Sequence, residues 1–212
     1  EINSKTGLYP LYVTYSLFRR RLDEYIKAEC IDRETLSVQE EQVVWDDIVE
    51  NNMYVICNTP MAKGITHRTL FGFRQVDQKA NIKNVQLIER ASKDQEGLVK
   101  ELKSVGFWKG NSSKQEMKFN AVVGNPPYQI MDGGGTGSSA TPIYNKFVDL
   151  AKLLNPNNVS MIIPAKWYTG CKGLDEFRAN MLNDKQLIKL FDYEDSRDCF
   201  PTVDIAGGVC YF

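Results

Sequence analysis

Asn125-Pro126-Pro127-Tyr128 is the segment of this sequence whose residue types point most directly to chemistry. Two consecutive prolines fix the backbone and remove two N–H donors, which leaves the Pro126 carbonyl and the Asn125 side-chain carbonyl as outward-facing acceptors. A planar amino group held between two such acceptors has both hydrogens bonded, and its lone pair is drawn out of conjugation toward an electrophile. Tyr128 adds an aromatic face on which the ring carrying that amine can stack. Taken alone, the tetrapeptide is equally a strand-terminating turn. Its context favours chemistry: an apolar run precedes it, and 132–139, with Gly133, Gly134, Gly135 and Gly137, reads as a flexible loop able to move over a substrate.

The elements that must position this motif can be read from periodicity. Phe119-Asn120-Ala121-Val122-Val123 predicts a strand that stops at Gly124, because prolines cannot donate to a ladder. Thr141-Pro142 then starts a predicted helix with the apolar stripe Ile143, Phe147, Leu150, Ala151 and Leu154, ended by Asn155-Pro156. The run 159–163 predicts a buried strand, Leu174, Phe177, Met181 and Leu182 one face of a helix, 187–191 a further strand and 207–212 a last one. Toward the beginning, a helix is predicted to start just after Gly7, with Pro10 in its first turn, and Tyr54-Val55-Ile56-Cys57 reads as a short buried strand ending at Asn58-Thr59-Pro60. The segment 32–50 is rich in charge, and 63–110 carries a mixed pattern. Strand–helix alternation of this kind predicts an α/β fold with a mainly parallel sheet and helices on both faces. Ligands of such sheets bind beyond the carboxyl ends of the strands, which is where Asn125 stands.

Composition narrows the classes further. At 212 residues and 42% hydrophobic, the chain suits one full-sized domain. Its 26 basic and 27 acidic residues nearly cancel, so a nucleic-acid surface would have to be local. The five cysteines are scattered and never form a C-x-x-C pair, which fits neither a disulfide framework nor a zinc site, and no metal is called for. No apolar run approaches the ~20 residues of a membrane span. These features predict a cytoplasmic protein with reduced thiols and no membrane partner. Lys63, His67, Arg68 and Arg74 are candidates for phosphate contacts, although a scattered basic surface is more often simply solvated, and His67 receives no catalytic role.

The motif and its surroundings resemble the amino-methyltransferases of DNA, whose catalytic motif is Asn/Asp/Ser-Pro-Pro-Tyr/Phe after the fourth strand of a Rossmann-like sheet. The particular likeness is to the adenine-specific methylases of combined restriction and modification polypeptides, of the type IIG kind. It extends through Gln129, Pro142-Ile143-Tyr144, Ile163-Pro164-Ala165-Lys166-Trp167-Tyr168, Lys172-Gly173-Leu174, Cys199-Phe200-Pro201 and 207–212, roughly the C-terminal half of the chain.

The resemblance implies a Rossmann-like methyltransferase sheet, S-adenosyl-L-methionine as cofactor and double-stranded DNA as partner. It implies that Asn125 and Pro126 orient the adenine amine, with Pro127 completing the rigid turn, and that Tyr128 stacks on the base. Glu1-Ile2-Asn3-Ser4-Lys5-Thr6-Gly7 looks like the family's acidic residue and glycine turn, which assigns Glu1, Asn3, Ser4, Thr6 and Gly7 to the methionine part of the cofactor. Trp167, Tyr168 and Phe200 become candidates to wall the pocket of an extruded base, where the alternative is that they are core. Lys5 stands where the family commonly has a second glycine, and no acid follows Tyr54 to Cys57 to hold the cofactor ribose. The same likeness implies that 1–212 is a catalytic-domain fragment of a longer polypeptide with a target-recognition domain, with or without a nuclease domain. Two other readings stand beside it. One is a methyltransferase acting on protein glutamine or RNA guanine; the other is a noncatalytic nucleic-acid-binding module with a degenerate cofactor site.

Overall fold

Short strands alternate with helices along most of the chain. The computed structural model describes residues 1–74, 80–131, 140–170 and 173–212. Its strands are β1 (Ile2–Ser4), β2 (Tyr54–Cys57), β3 (Asn81–Asn84), β4 (Ala121–Gly124), β5 (Gln129–Met131), β6 (Ala140–Pro142), β7 (Asn158–Pro164), β8 (Phe191–Tyr193) and β9 (Val209–Tyr211). Its helices are α1 (Leu8–Glu29), α2 (Val38–Asn51), α3 (Pro60–Phe71), α4 (Leu87–Lys93), α5 (Gln95–Lys103), α6 (Val105–Lys109), α7 (Tyr144–Leu153) and α8 (Asp175–Asn183). The main sheet runs in the order β3-β2-β1-β4-β7-β9-β8, with β5 and β6 as a separate antiparallel hairpin. Pairing is parallel for β2 with β3, β1 with β4 and β4 with β7, whereas β9 runs antiparallel to both β7 and β8. The expected α/β, mostly parallel Rossmann-like sheet is the observed one.

The chain divides into two compact units, residues 1, 3–87 and 104–115 in the first and 2, 88–103 and 116–212 in the second. In the first, α1 begins where Gly7, in the left-handed region at φ 77°, turns the chain out of β1. Ser37 and Glu40 form a capping box at the start of α2, and Thr59 caps α3 with Pro60 at its first position. The core of this unit gathers Val49, Val55, Cys57, Leu70, Phe71 and Ile82. Asn81 ties β3 to the end of α2 by donating to the Glu50 carbonyl at 2.6 Å.

In the second unit, β7 is the long central strand, and α7 buries Tyr144, Phe147, Val148, Leu150 and Ala151. The expected stripe holds, since Ile143 and Leu154 are buried as well. Three details differ from expectation. Thr141 and Pro142 belong to β6, and the helix starts at Tyr144, because the chain leaving the Pro-Pro turn first pairs back on itself. The strand expected over 187–191 begins only at Phe191; Ile188 is 86% exposed and Leu190 is exposed too, so these apolar residues have no face to bury. On α8, Leu174, Phe177 and Met181 are buried, but Leu182 points to solvent. The glycine-rich segment 132–139 lies outside the described residues, as do Cys171 and Lys172.

Candidate active site

The turn between β1 and α1 is built from buried polar groups. Asn3 sits at φ 68° and Gly7 at φ 77°, two left-handed residues within five positions, which coil the backbone tightly. Asn3 and Ser4 are buried, whereas Lys5 and Thr6 are exposed. Ser4 Oγ accepts the Gly7 N–H at 3.2 Å and lies 3.0 Å from Thr66 Oγ1 of α3. The Thr69 hydroxyl donates to the Thr6 carbonyl at 2.6 Å, a second tie from α3 to the same turn. A β-carbon on Gly7 would stand 3.0 Å from Thr66 Cα, so only glycine fits between the turn and this helix. At the start of β1, the Glu1 main chain bridges β2 through the Tyr54 carbonyl and the Ile56 N–H.

The Glu1 side chain is the most perturbed carboxyl of this turn. Burial pushes it up to about 7. Its Oε2 is buried and has no hydrogen-bond partner among the described residues. A carboxylate oxygen in that position is an acceptor for a cationic donor. Glu1 immediately precedes β1, and Asn3, Ser4, Thr6 and Gly7 lie on β1 and the turn that leads into α1. Thr66 joins this turn without any signal in the sequence, since it reaches Ser4 only through the fold, and Cys57 Sγ in turn donates to Thr66 Oγ1 at 3.7 Å.

In the second unit, Asn125-Pro126-Pro127-Tyr128 follows β4 directly and leads into β5. Gly124 is the register partner of Ile2 across the β1–β4 pair, and β1 to β4 is where the strand order of the sheet changes direction. The motif thus stands beyond the carboxyl end of a strand at a topological switch point. It is held at both ends: β4 is laddered to β7 up to Gly124↔Met161, and after the motif Gln129 pairs with Pro142 while the Tyr128 carbonyl accepts the Ile143 N–H at 3.1 Å. Pro126 is buried; Asn125, Pro127 and Tyr128 are half-buried.

The three aromatic candidates separate in character. Trp167 is 2% exposed, donates Nε1–H to Cys210 Sγ at 3.4 Å and packs edge-on against Phe177, as a core residue does. Tyr168 is half-buried with its hydroxyl donating to Asp192 Oδ1 at 2.9 Å, and the Trp167 ring lies against it at 4.7 Å. Phe200 is half-buried after the short turn Ser196–Asp198. After β2, the position where an acid was sought holds Asn58, followed by the α3 cap Thr59.

The model of a protein family described as the Eco57I restriction-modification methylases matches residues 51–200. A relative from Mycoplasma pneumoniae (strain ATCC 29342 / M129 / Subtype 1), described as an uncharacterized adenine-specific methylase, is 41% identical over 98 residues. That match spans 45% of this chain and 23% of the relative, so the chain corresponds to about a quarter of the relative's length. Among the described residues, no helix is long and apolar enough to cross a membrane.

Proposed function

The chain belongs to the Eco57I restriction-modification methylase family, and from that premise we infer that it methylates the exocyclic amino nitrogen of adenine in double-stranded DNA, with S-adenosylmethionine as methyl donor. The observation that carries the reading is the Asn125–Tyr128 turn, clamped between β4 and the β5–β6 hairpin beyond the carboxyl end of a central strand. The adenine assignment is supported by the description of the relative.

In this reading the Asn125 side-chain carbonyl and the Pro126 carbonyl accept the two amine hydrogens. They hold the nitrogen lone pair out of the ring's conjugation and stabilise the positive charge that develops on it. Pro127 keeps the turn rigid, and Tyr128 stacks on the base. Because the carbonyls stabilise the developing positive charge, one N–H proton can pass from the methylated nitrogen to solvent after transfer, and no strong general base is required. The base must leave the duplex to reach them, and Tyr168 and Phe200 are assigned to its pocket, with Trp167 bracing Tyr168 from the core side.

The residues of the β1–α1 turn fit S-adenosylmethionine. Glu1 Oε2 is a buried acceptor without a partner among the described residues, suited to an ammonium group, and Gly7, in the left-handed region, lets the turn pack directly on Thr66 and Thr69 of α3. When bound, the cofactor supplies an electrophilic methyl on a sulfonium. Asn3, Ser4 and Thr6 shape the turn that holds its methionine part. The same reading treats residues 1–212 as belonging to one catalytic domain.

The test is to incubate the full polypeptide carrying this chain with labelled S-adenosylmethionine and unmethylated DNA, then digest the DNA and identify the methylated base by mass spectrometry. N6-methyladenine is the expected product. Label found on protein glutamine or on guanine of RNA, with DNA unmodified, would replace this reading by that of another planar-amine methyltransferase.

A further inference from the structure

Residues 194–208 join β8 to β9, and this loop opens at the same end of the sheet as the Asn125–Tyr128 turn. Strands β4 and β7 are parallel and both end there, and Val209, the first residue of β9, pairs with Pro164 at the end of β7 and with Tyr193 at the end of β8. The base of the loop is fixed by sterics. Gly208 sits at φ 72°, where a β-carbon would collide with the Tyr193 carbonyl oxygen. Its own carbonyl accepts the Ala165 N–H at 3.1 Å, which ties the loop to the segment that carries Tyr168.

Beyond that base the loop has little apolar packing to hold it. Among the described residues of 194–207, Ser196 alone is buried, at 1% exposed, while Val203 is 47% exposed. A loop without a core keeps one shape through its hydrogen bonds, and here they converge on that serine. The Ser196 hydroxyl donates to the Val203 carbonyl at 2.9 Å and accepts the Ile205 N–H at 2.8 Å, so one buried oxygen gathers residues seven and nine positions away. The Ser196 carbonyl accepts the N–H groups of Cys199 and Phe200, at 3.1 and 2.8 Å. The Val203 N–H closes the circuit by donating to the Phe200 carbonyl at 2.9 Å. Both main-chain polar groups of Phe200 are therefore held by Ser196 or by a residue that Ser196 fixes. The Asp195–Arg197 ion pair is exposed and spans only two residues, which gives it little hold over the tip.

We propose that Ser196 is a positioning residue for the target base: by joining Val203 and Ile205 to the start of the loop it locks the main chain of Phe200, so that the ring forms one wall of the pocket for the extruded adenine. The proposal rests on the assignment of Phe200 to that pocket, and through it on adenine methylation. Ser196 acts through Phe200 and touches neither base nor cofactor. A stacking ring that is held before the base arrives loses less freedom on binding than one carried by a loose loop, and it keeps the amine aligned with its acceptors.

The experiment is a double-mutant cycle on kcat/KM for methyl transfer to unmethylated double-stranded DNA by the full polypeptide, at saturating labelled S-adenosylmethionine. The variants are Ser196→Ala, Phe200→Ala and the two combined. Phe200→Ala is expected to lose roughly 10- to 100-fold, the effect of one base-stacking contact, and Ser196→Ala a part of that loss, roughly tenfold. With the ring gone the serine has nothing left to position, so the double variant should match Phe200→Ala within about twofold. Amide hydrogen exchange without DNA is the second readout. The N–H groups of Phe200, Val203 and Ile205 should exchange faster in Ser196→Ala, while those of β7 and β9 keep their protection. Losses that multiply in the double variant, transfer by Ser196→Ala at the unmodified rate, or unchanged exchange at the three loop amides would overturn the proposal and leave Phe200 in the pocket. Unmodified transfer by Phe200→Ala would overturn the assignment of Phe200 and the proposal with it. No adenine methylation by the unmodified polypeptide would instead overturn the reading on which both rest.

Discussion

The carbonyl oxygen of Ile2 lies 2.8 Å from the point where a β-carbon on Gly124 would stand. The two residues are register partners, so any side chain at 124 pushes β4 away from β1 one residue before Asn125. Gly124→Ala should destabilise the protein by about 1–3 kcal/mol, the usual cost of forcing extra volume into packed structure. Thermal unfolding measures this, and an unchanged midpoint would mean that the strands part without strain.

Gly7 is constrained twice, by its positive φ and by Thr66 and Thr69, each with an atom 3.0 Å from the point a β-carbon would occupy. Gly7→Ala is expected to cost about 1–2 kcal/mol for the left-handed conformation alone, with more from the contact with α3. The same substitution should weaken S-adenosylmethionine binding, because α3 and the turn cannot both keep their places. A variant that melts early but binds normally would separate the turn from the cofactor.

The raised Glu1 carboxyl makes stability depend on pH in a definite direction. Its folded value of about 7 lies above the ordinary 4.5, so between these values the folded chain keeps a proton that the unfolded chain has lost. Its contribution to stability is therefore full below about pH 4.5 and is lost as the pH rises through about 7. Cofactor affinity should run the opposite way and rise through that window as the carboxylate forms. Melting temperatures and binding constants measured across it, with Glu1→Gln expected to flatten both, check the sign.

Tyr128 is assigned a stacking role, which needs the ring and not the hydroxyl. Tyr128→Phe should keep most of the methyl transfer. Tyr128→Ala should lose roughly 10- to 100-fold in kcat/KM, the loss expected from removing one base-stacking contact. Equal loss in both variants would give the hydroxyl a role of its own.

The parts of the fold that were legible in the sequence are those with a strong local signal. Gly7 before an apolar 3.6-residue period announces α1, and Val122-Val123 running into Pro126-Pro127 announces β4 and its end. The β5–β6 hairpin was hidden because Thr141-Pro142 has the chemistry of a helix start, and only pairing with Gln129 and Ile130 makes it a strand. Helices α4, α5 and α6 were missed because 7, 9 and 5 residues are too few to display a period. The run 187–191 deceived in the other direction: its apolar residues alternate, but Ile188 faces water. In the candidate site, Asn125–Tyr128 and the Glu1–Gly7 turn are contiguous in sequence and were readable as motifs. Thr66 was not, because nothing local distinguishes a threonine inside a helix, and its partner Ser4 is 62 residues away.

The account turns on the Asn125 carbonyl as an acceptor for the target amine. The most direct measurement is the rate of methyl transfer from labelled S-adenosylmethionine to unmethylated DNA by the full polypeptide, comparing Asn125→Ala with Asn125→Asp, under conditions where both variants retain the unmodified melting temperature. The alanine variant should lose at least about 100-fold, the scale of removing one group that stabilises developing charge, while aspartate, which keeps an acceptor oxygen, should retain part of the rate. Alanine transfer at the unmodified rate would contradict the account, because the amine would then be activated by some group other than Asn125.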